Sequence, residues 1–206
     1  MPTELEAVAA EAAGCTRCRL HQSRTQVVFG QGDPRADLMF VGEAPGFHED
    51  RQGIPFVGPS GQLLNRLLEG IGLRRQDVYI CNVVMSRPPQ NRDPQPDEIA
   101  ACRPWLDAQI RLVDPKVVVT LGNFAAKTLL ETTTGITRLR GQTYPFQGRV
   151  LLPTFHPAAA LHAQGRRTAG PSPLEAMEGD FRVLAELLAA QAPVDEDRPT
   201  EQLGLF

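Results

Sequence analysis

Residues 42–61, GEAPGFHEDRQGIPFVGPSG, follow directly on the apolar run ADLMFV and place Glu43, Glu49, Asp50 and Phe56 on one glycine-punctuated loop. Glu43 and Glu49 are of the type that gives or takes protons. The glycines let backbone amides come close to a ligand. No Gly-Lys-Ser/Thr follows, so this is not a Walker phosphate loop. Phe56, between Pro55 and Val57, suits a core position as well as a stacking platform for a planar ligand. Asn82 stands inside the apolar segment DVYICNVVM. A buried amide needs partners, so it either staples a loop or reads the polar edge of a ligand. His156 follows the run RVLLPTF and precedes Pro157, at a point where a histidine serves either packing or chemistry.

The four cysteines form a second set. Cys15 and Cys18 make a C-x-x-C pair, while Cys81 and Cys102 lie far along the chain. A compact zinc ribbon is excluded by that spacing. Thioredoxin-like chemistry needs the pair at the start of a helix that follows a strand, whereas this pair follows a helical pattern. A structural metal centre drawing on remote segments fits better, and soft thiolates admit zinc or an iron–sulfur cluster.

The elements that must position these groups alternate. Residues 3–13 read as a helix capped by Thr3, 36–42 as a buried strand, 59–72 as a helix with apolar residues at 63, 64, 67, 68 and 71, and 77–85 as a second strand. The prolines of SRPPQNRDPQP make 86–96 a loop. A helix restarts at 96–113, a strand follows at 116–122, a helix at 123–131, a strand at 149–155 and a last helix at 173–191. Such alternation predicts a parallel sheet covered on both faces. Ligands bind beyond the carboxyl ends of such strands, here near Gly42, Met85, Gly122 and Phe155, which gathers the unusual loops into one candidate site.

The 206 residues suit one domain over 1–191 followed by a disordered acidic tail, 192–206. Hydrophobic content of 42% and charged content of 22% place the chain among globular proteins. No apolar run reaches the roughly 20 residues of a membrane span, and the acidic N-terminus lacks a secretory pattern, so a cytoplasmic location is expected. The net charge of −3 hides an asymmetry: Thr132–Pro173 holds five arginines and no acid, while Leu174–Phe206 holds eight acids and two arginines. The first of these segments is a candidate polyanion-facing lobe.

Six ordered blocks, CTRC, GEAPGFHEDRQGIPFVGPSG, YICNVVMSRPPQNRDP, ACRPWL, VVVTLGNFAAKTLL and PTFHPAAAL, resemble the family-4 uracil-DNA glycosylases, the iron–sulfur branch of their superfamily. The resemblance runs from about Ala13 to Leu188. It implies an α/β fold, a three-layer α/β/α sandwich around a small, mainly parallel four-stranded sheet. It also implies hydrolysis of the N-glycosidic bond of flipped-out uracil in DNA, the first step of base-excision repair, by a monomer without a catalytic metal. Carried over by position, Phe56 stacks on uracil, Asn82 bonds its polar edge, His156 faces O2, Glu43 lies by the sugar and attacking water, and Glu49 shapes the wall against bulkier bases. Gly42 and Ala44 border the base. Arg166, Arg167, Ser60 and Asn123 are expected at the DNA backbone.

The resemblance also implies a structural 4Fe–4S cluster on Cys15, Cys18 and Cys102. Where the family has a further cysteine, before Arg-Pro-Pro, this chain has Ser86. The fourth ligand is left open between Ser86 and Cys81, which an odd separation on an extended strand turns to the opposite face. The last residues resemble the peptide by which bacterial proteins bind the sliding clamp, with Gln202 hydrogen-bonding and Leu203, Leu205 and Phe206 filling an apolar pocket. Two rival readings are a relative with altered base preference, such as hypoxanthine or xanthine, and a non-catalytic iron–sulfur DNA-binding accessory protein.

Overall fold

A computed structural model describes residues 3–163 and 170–191. Its helices are α1 (Glu4–Ala13), α2 (Phe47–Gln52), α3 (Pro59–Glu69), α4 (Pro96–Val113), α5 (Asn123–Leu130), α6 (Ile136–Leu139), α7 (Pro157–His162) and α8 (Pro173–Gln191). The strands are β1 (Gln31–Gly32), β2 (Leu38–Gly42), β3 (Tyr79–Asn82), β4 (Val117–Leu121), β5 (Tyr144–Phe146) and β6 (Arg149–Thr154). Thr3 caps α1 in a reciprocal box with Glu6. Pro96 opens α4, its missing N–H harmless in the first turn.

The sheet order is β1-β3-β2-β4-β6-β5. The four inner strands are parallel, and β1 and β5 join the edges antiparallel. The sheet therefore has six strands rather than the four expected. The two additions are two and three residues long, too short to carry an alternation pattern. Both faces are covered. Leu38, Phe40, Ile80 and Val119 pack under α3 and α8, while Met39, Val41, Cys81 and Val118 pack under α4 and α5. Strands buried on both faces read as continuous apolar runs, which is why the pattern was visible in the sequence.

From β2 the chain steps to β3 on one side and later to β4 on the other. A crevice opens at the carboxyl ends where the order reverses. Gly42 and Asn82 are register partners at the ends of β2 and β3, so the first loop and the buried amide meet there.

Candidate active site

The strand ends open into a cleft of about 650 Å³. Glu43, Ala44, Glu49, Phe56, Ser60, Asn82 and His156 all line it, so seven expected site residues converge. Gly42 lies directly beneath: a Cβ there would stand 2.4 Å from Asn82 Oδ1 and 2.6 Å from the Phe56 ring. Only a residue without a side chain lets the amide and the ring come together over the end of β2.

Phe56 is 6% exposed and part of the core under α3. The ring occupies the core position and also lines the cleft. Its backbone is left-handed, with φ of 52°, a conformation costly for an aromatic residue that persists only when its surroundings enforce it. They do so here. The Arg75 guanidinium donates to the carbonyls of Pro55 and Phe56. Glu49 Oε1 accepts from the N–H groups of Val57 and Gly58 at 3.0 and 2.9 Å. Glu49 thus holds the loop that carries Phe56. Asp50 is likewise structural: it is buried and accepts from the Thr25 N–H and hydroxyl at 2.9 and 2.6 Å.

Asn82 is 1% exposed, and its Oδ1 has no hydrogen-bond partner. A buried acceptor left without a partner costs about 1–3 kcal/mol, so it marks a place where a donor from outside belongs. His156 caps α7, its Nδ1 accepting from the Ala158 N–H at 3.1 Å. That bond leaves the proton of a neutral imidazole on Nε2, which can donate. Burial, reinforced by His162 and opposed by Glu49, lowers the His156 pKa to about 4, so the ring is neutral near pH 7. The Phe56 and His156 rings lie 5.7 Å apart between centroids. A Cβ on Gly122, whose φ is +93°, would meet His156 Cβ at 2.9 Å.

Burial, with the nearby charge of Asp93, raises the Glu43 pKa to about 7. Asp93 lies on the proline loop, which sequence reasoning took to the site only as a segment; Asn91, Arg92 and Asp93 all line the cleft. Arg92 anchors that loop to α4 through two bonds to the buried Glu98, at 2.6 and 2.8 Å. Phe47 and His48 at the rim were also missed, because the six-residue α2 that carries them is too short to show a period.

Asn123 is not brought to this cleft; its side chain accepts from the Ile136 N–H at 3.2 Å. Arg166, Arg167 and the tail with Gln202, Leu203, Leu205 and Phe206 lie outside the described residues. Two of the five arginines of the supposed basic lobe are already neutralised, Arg140 by Asp180 and Arg149 by Asp114.

A second, smaller cavity is lined by Cys15, Cys18, Cys102 and Ser86. Cys81 is absent from it and is packed in the sheet core, where burial raises its thiol pKa steeply. Burial raises the Cys15 thiol's pKa, but hydrogen bonds from the Arg17 backbone and the Trp105 indole outweigh it and leave Cys15 below its ordinary value; the indole contact is 3.4 Å. Ser86 accepts from the Arg24 guanidinium at 3.2 Å. Among the described residues no three His, Cys, Asp or Glu side chains stand in ready metal-site geometry. The donor types nevertheless suit an iron–sulfur cluster at three positions and depart from an all-thiolate set at Ser86. No helix among the described residues is long and apolar enough to cross a membrane.

The family model for the uracil DNA glycosylase superfamily matches residues 29–181. The chain is 44% identical over 192 residues to a type-4 uracil-DNA glycosylase of Sulfurisphaera tokodaii, covering 89% of this chain and 84% of the relative. It is 41% identical over 198 residues to one of Archaeoglobus fulgidus, covering 92% and 96%. With one of Thermotoga maritima the identity is 46% over 159 residues, covering 76% and 83%.

Proposed function

The chain belongs to the uracil DNA glycosylase superfamily, and from that premise we propose that it hydrolyses the N-glycosidic bond of uracil extruded from DNA, which begins base-excision repair. The observation that carries this reading is the unpartnered Oδ1 of Asn82 in a cleft shared with Phe56 and His156. Uracil offers an N3–H donor beside an O4 acceptor, which a carboxamide matches with its own oxygen and nitrogen. Cytosine presents the reverse pattern and would leave groups unpaired. Extrusion costs a few kcal/mol, and stacking on an aromatic face recovers about 1–3 kcal/mol.

Uracil departs as an anion. The Nε2–H of a neutral His156 donates to O2 and stabilises the charge that develops there, as an oxyanion hole does. The sugar develops positive charge as the bond breaks. Glu43 as a carboxylate stabilises it and accepts a proton from the attacking water, which then bonds to C1′. Gly42 and Ala44 border the base, Glu49 holds the loop that walls it, and Ser60 with Arg166 and Arg167 meets the backbone. The test is release of free uracil from a uracil-containing oligonucleotide. His156→Ala is expected to lower the rate by about 100- to 1,000-fold. A wild-type rate no better than that of His156→Ala overturns the reading. Substituting hypoxanthine or xanthine in the same assay separates a relative of altered preference.

The second cavity is the place for a structural cluster, with Cys15, Cys18 and Cys102 as thiolate ligands and Ser86 as the fourth. Bound there, it would tie the N-terminal segment to α4 and supply no step of the hydrolysis. Protein purified without oxygen should carry iron and sulfide and absorb in the visible, and colourless, iron-free protein rules the cluster out. Ser86→Cys should slow iron loss to a chelator. The C-terminal QLGLF is assigned to a sliding clamp, and equal clamp affinity after deletion of 202–206 excludes that partner.

A further inference from the structure

Phe47 is 46% exposed, the one large hydrophobic side chain so exposed among the described residues. It stands at the rim of the cleft, on the first residue of α2. Two guanidinium groups lie against its ring, Arg51 at 5.5 Å and Arg87 at 5.2 Å from the centroid. The His48 ring meets it edge-on at 5.4 Å. Arg87 is fixed by a 2.7 Å bond from its Nε to Asn91 Oδ1. Among the described residues neither Arg51 nor Arg87 is in an ion pair, although nine such pairs occur elsewhere.

An exposed aromatic ring costs free energy in water. Placing it at the rim of the cleft, with two unneutralised cations held on it, is the combination that binds a nucleic-acid strand. Aromatic surface takes a base by its face, whatever its identity, and guanidinium groups take phosphates. Cations held against an aromatic ring also need little further ordering when a phosphate arrives.

We infer that Phe47, Arg51 and Arg87 form a docking platform for the nucleotide next to the extruded one: its base packs on the exposed surface of Phe47, and its flanking phosphates meet Arg51 and Arg87. The inference rests on the reading of the cleft as the uracil site. Phe47 is a positioning residue, since it holds the strand and does not touch the bond that breaks. The platform grips one strand and needs no partner strand, so single-stranded DNA gains from it as much as duplex.

The test uses the full chain and a fluorescent 15-mer carrying 2′-fluoro-deoxyuridine, which resists cleavage, so that binding is read independently of release. Parallel probes replace the base on the 5′ or the 3′ side of the target with an abasic spacer. Phe47→Ala should weaken binding of the intact probe roughly tenfold, raise KM by a similar factor and change the saturated rate much less. Removing the neighbouring base on one side should weaken wild type by about the same factor and leave Phe47→Ala unaffected. Phe47→Trp should restore affinity. Arg87→Ala should flatten the salt dependence of log affinity by about one unit. Equal affinity of wild type and Phe47→Ala, or equal losses with and without the neighbouring bases, overturns the platform. If wild type binds the probes in this way yet releases no uracil, the platform stands and the proposed reaction fails.

Discussion

Burial brings the charge of Glu43 under the control of pH near neutrality. In the proposed reaction it acts as a carboxylate, so kcat/KM should rise with pH through about 7. The limb should disappear in Glu43→Gln, with a rate lowered by about 100-fold or more. His156 adds no limb above its pKa of about 4. The stability effect has the opposite sign. A carboxyl whose pKa rises from 4.5 to about 7 on folding stabilises the protein below 4.5, and that contribution is lost as pH climbs to 7. Glu43→Gln should therefore melt higher than wild type at pH 8 in a calorimeter while losing activity. Gly42 makes a second case. A methyl there would fall 2.4 Å from Asn82 Oδ1 and 2.6 Å from the Phe56 ring, both buried, so one of these two site groups must shift. Gly42→Ala should cut uracil release about 100-fold through misplacement alone, with circular dichroism unchanged. Glu43, Asn82 and His156 were legible in the sequence because each interrupts an apolar run or ends one. Asp93 and Phe47 were not, since neither an acid on a proline loop nor a lone phenylalanine departs from what loops commonly hold.

At the scale of elements, α8 is tied to the sheet by a polar bridge as well as by Met177 and Phe181. Asp180, 2% exposed, takes bonds from Arg140 and from the Thr154 hydroxyl, the latter at 2.6 Å. Burial raises its pKa against the pull of both partners. Arg140→Ala leaves that carboxyl buried and half-satisfied, and should cost about 3 kcal/mol in urea unfolding. The double variant with Asp180→Asn should lose less than the single, because the stranded charge is gone. Long elements were legible: 96–113 and 173–191 coincide with α4 and α8, whose apolar spacing spans several turns. The six residues of α2, the four of α6 and the short strands β1 and β5 carry too few periods to announce themselves. Their conformation is imposed by what they pack against.

For the whole molecule, charge governs how DNA is met. Arg140 and Arg149 are spent on Asp180 and Asp114, so the apparent basic lobe offers fewer free cations than its composition promised. Changing Arg166 and Arg167 together to Ala should lower the salt slope of DNA binding by about two, whereas Arg149→Ala should leave it unchanged; a titration against potassium chloride reads both. Composition and patterning by themselves determined a doubly covered parallel sheet with its ligand loops on one edge, because buried strands and long helices leave period and polarity in the chain. They also singled out Glu43, Glu49, Phe56, Asn82 and His156, which line the cleft, and the four cysteines, three of which line the second cavity. Only the tertiary structure decided that Ser86 and not Cys81 shares a cavity with Cys15, Cys18 and Cys102, that Glu49 fastens a loop, and that Asn82 is left with an unanswered acceptor. The cavity of Ser86 and the burial of Asn82 are set by residues remote in sequence, and even the partners of Glu49, which are Val57 and Gly58 of the same loop, meet it only once that loop is folded.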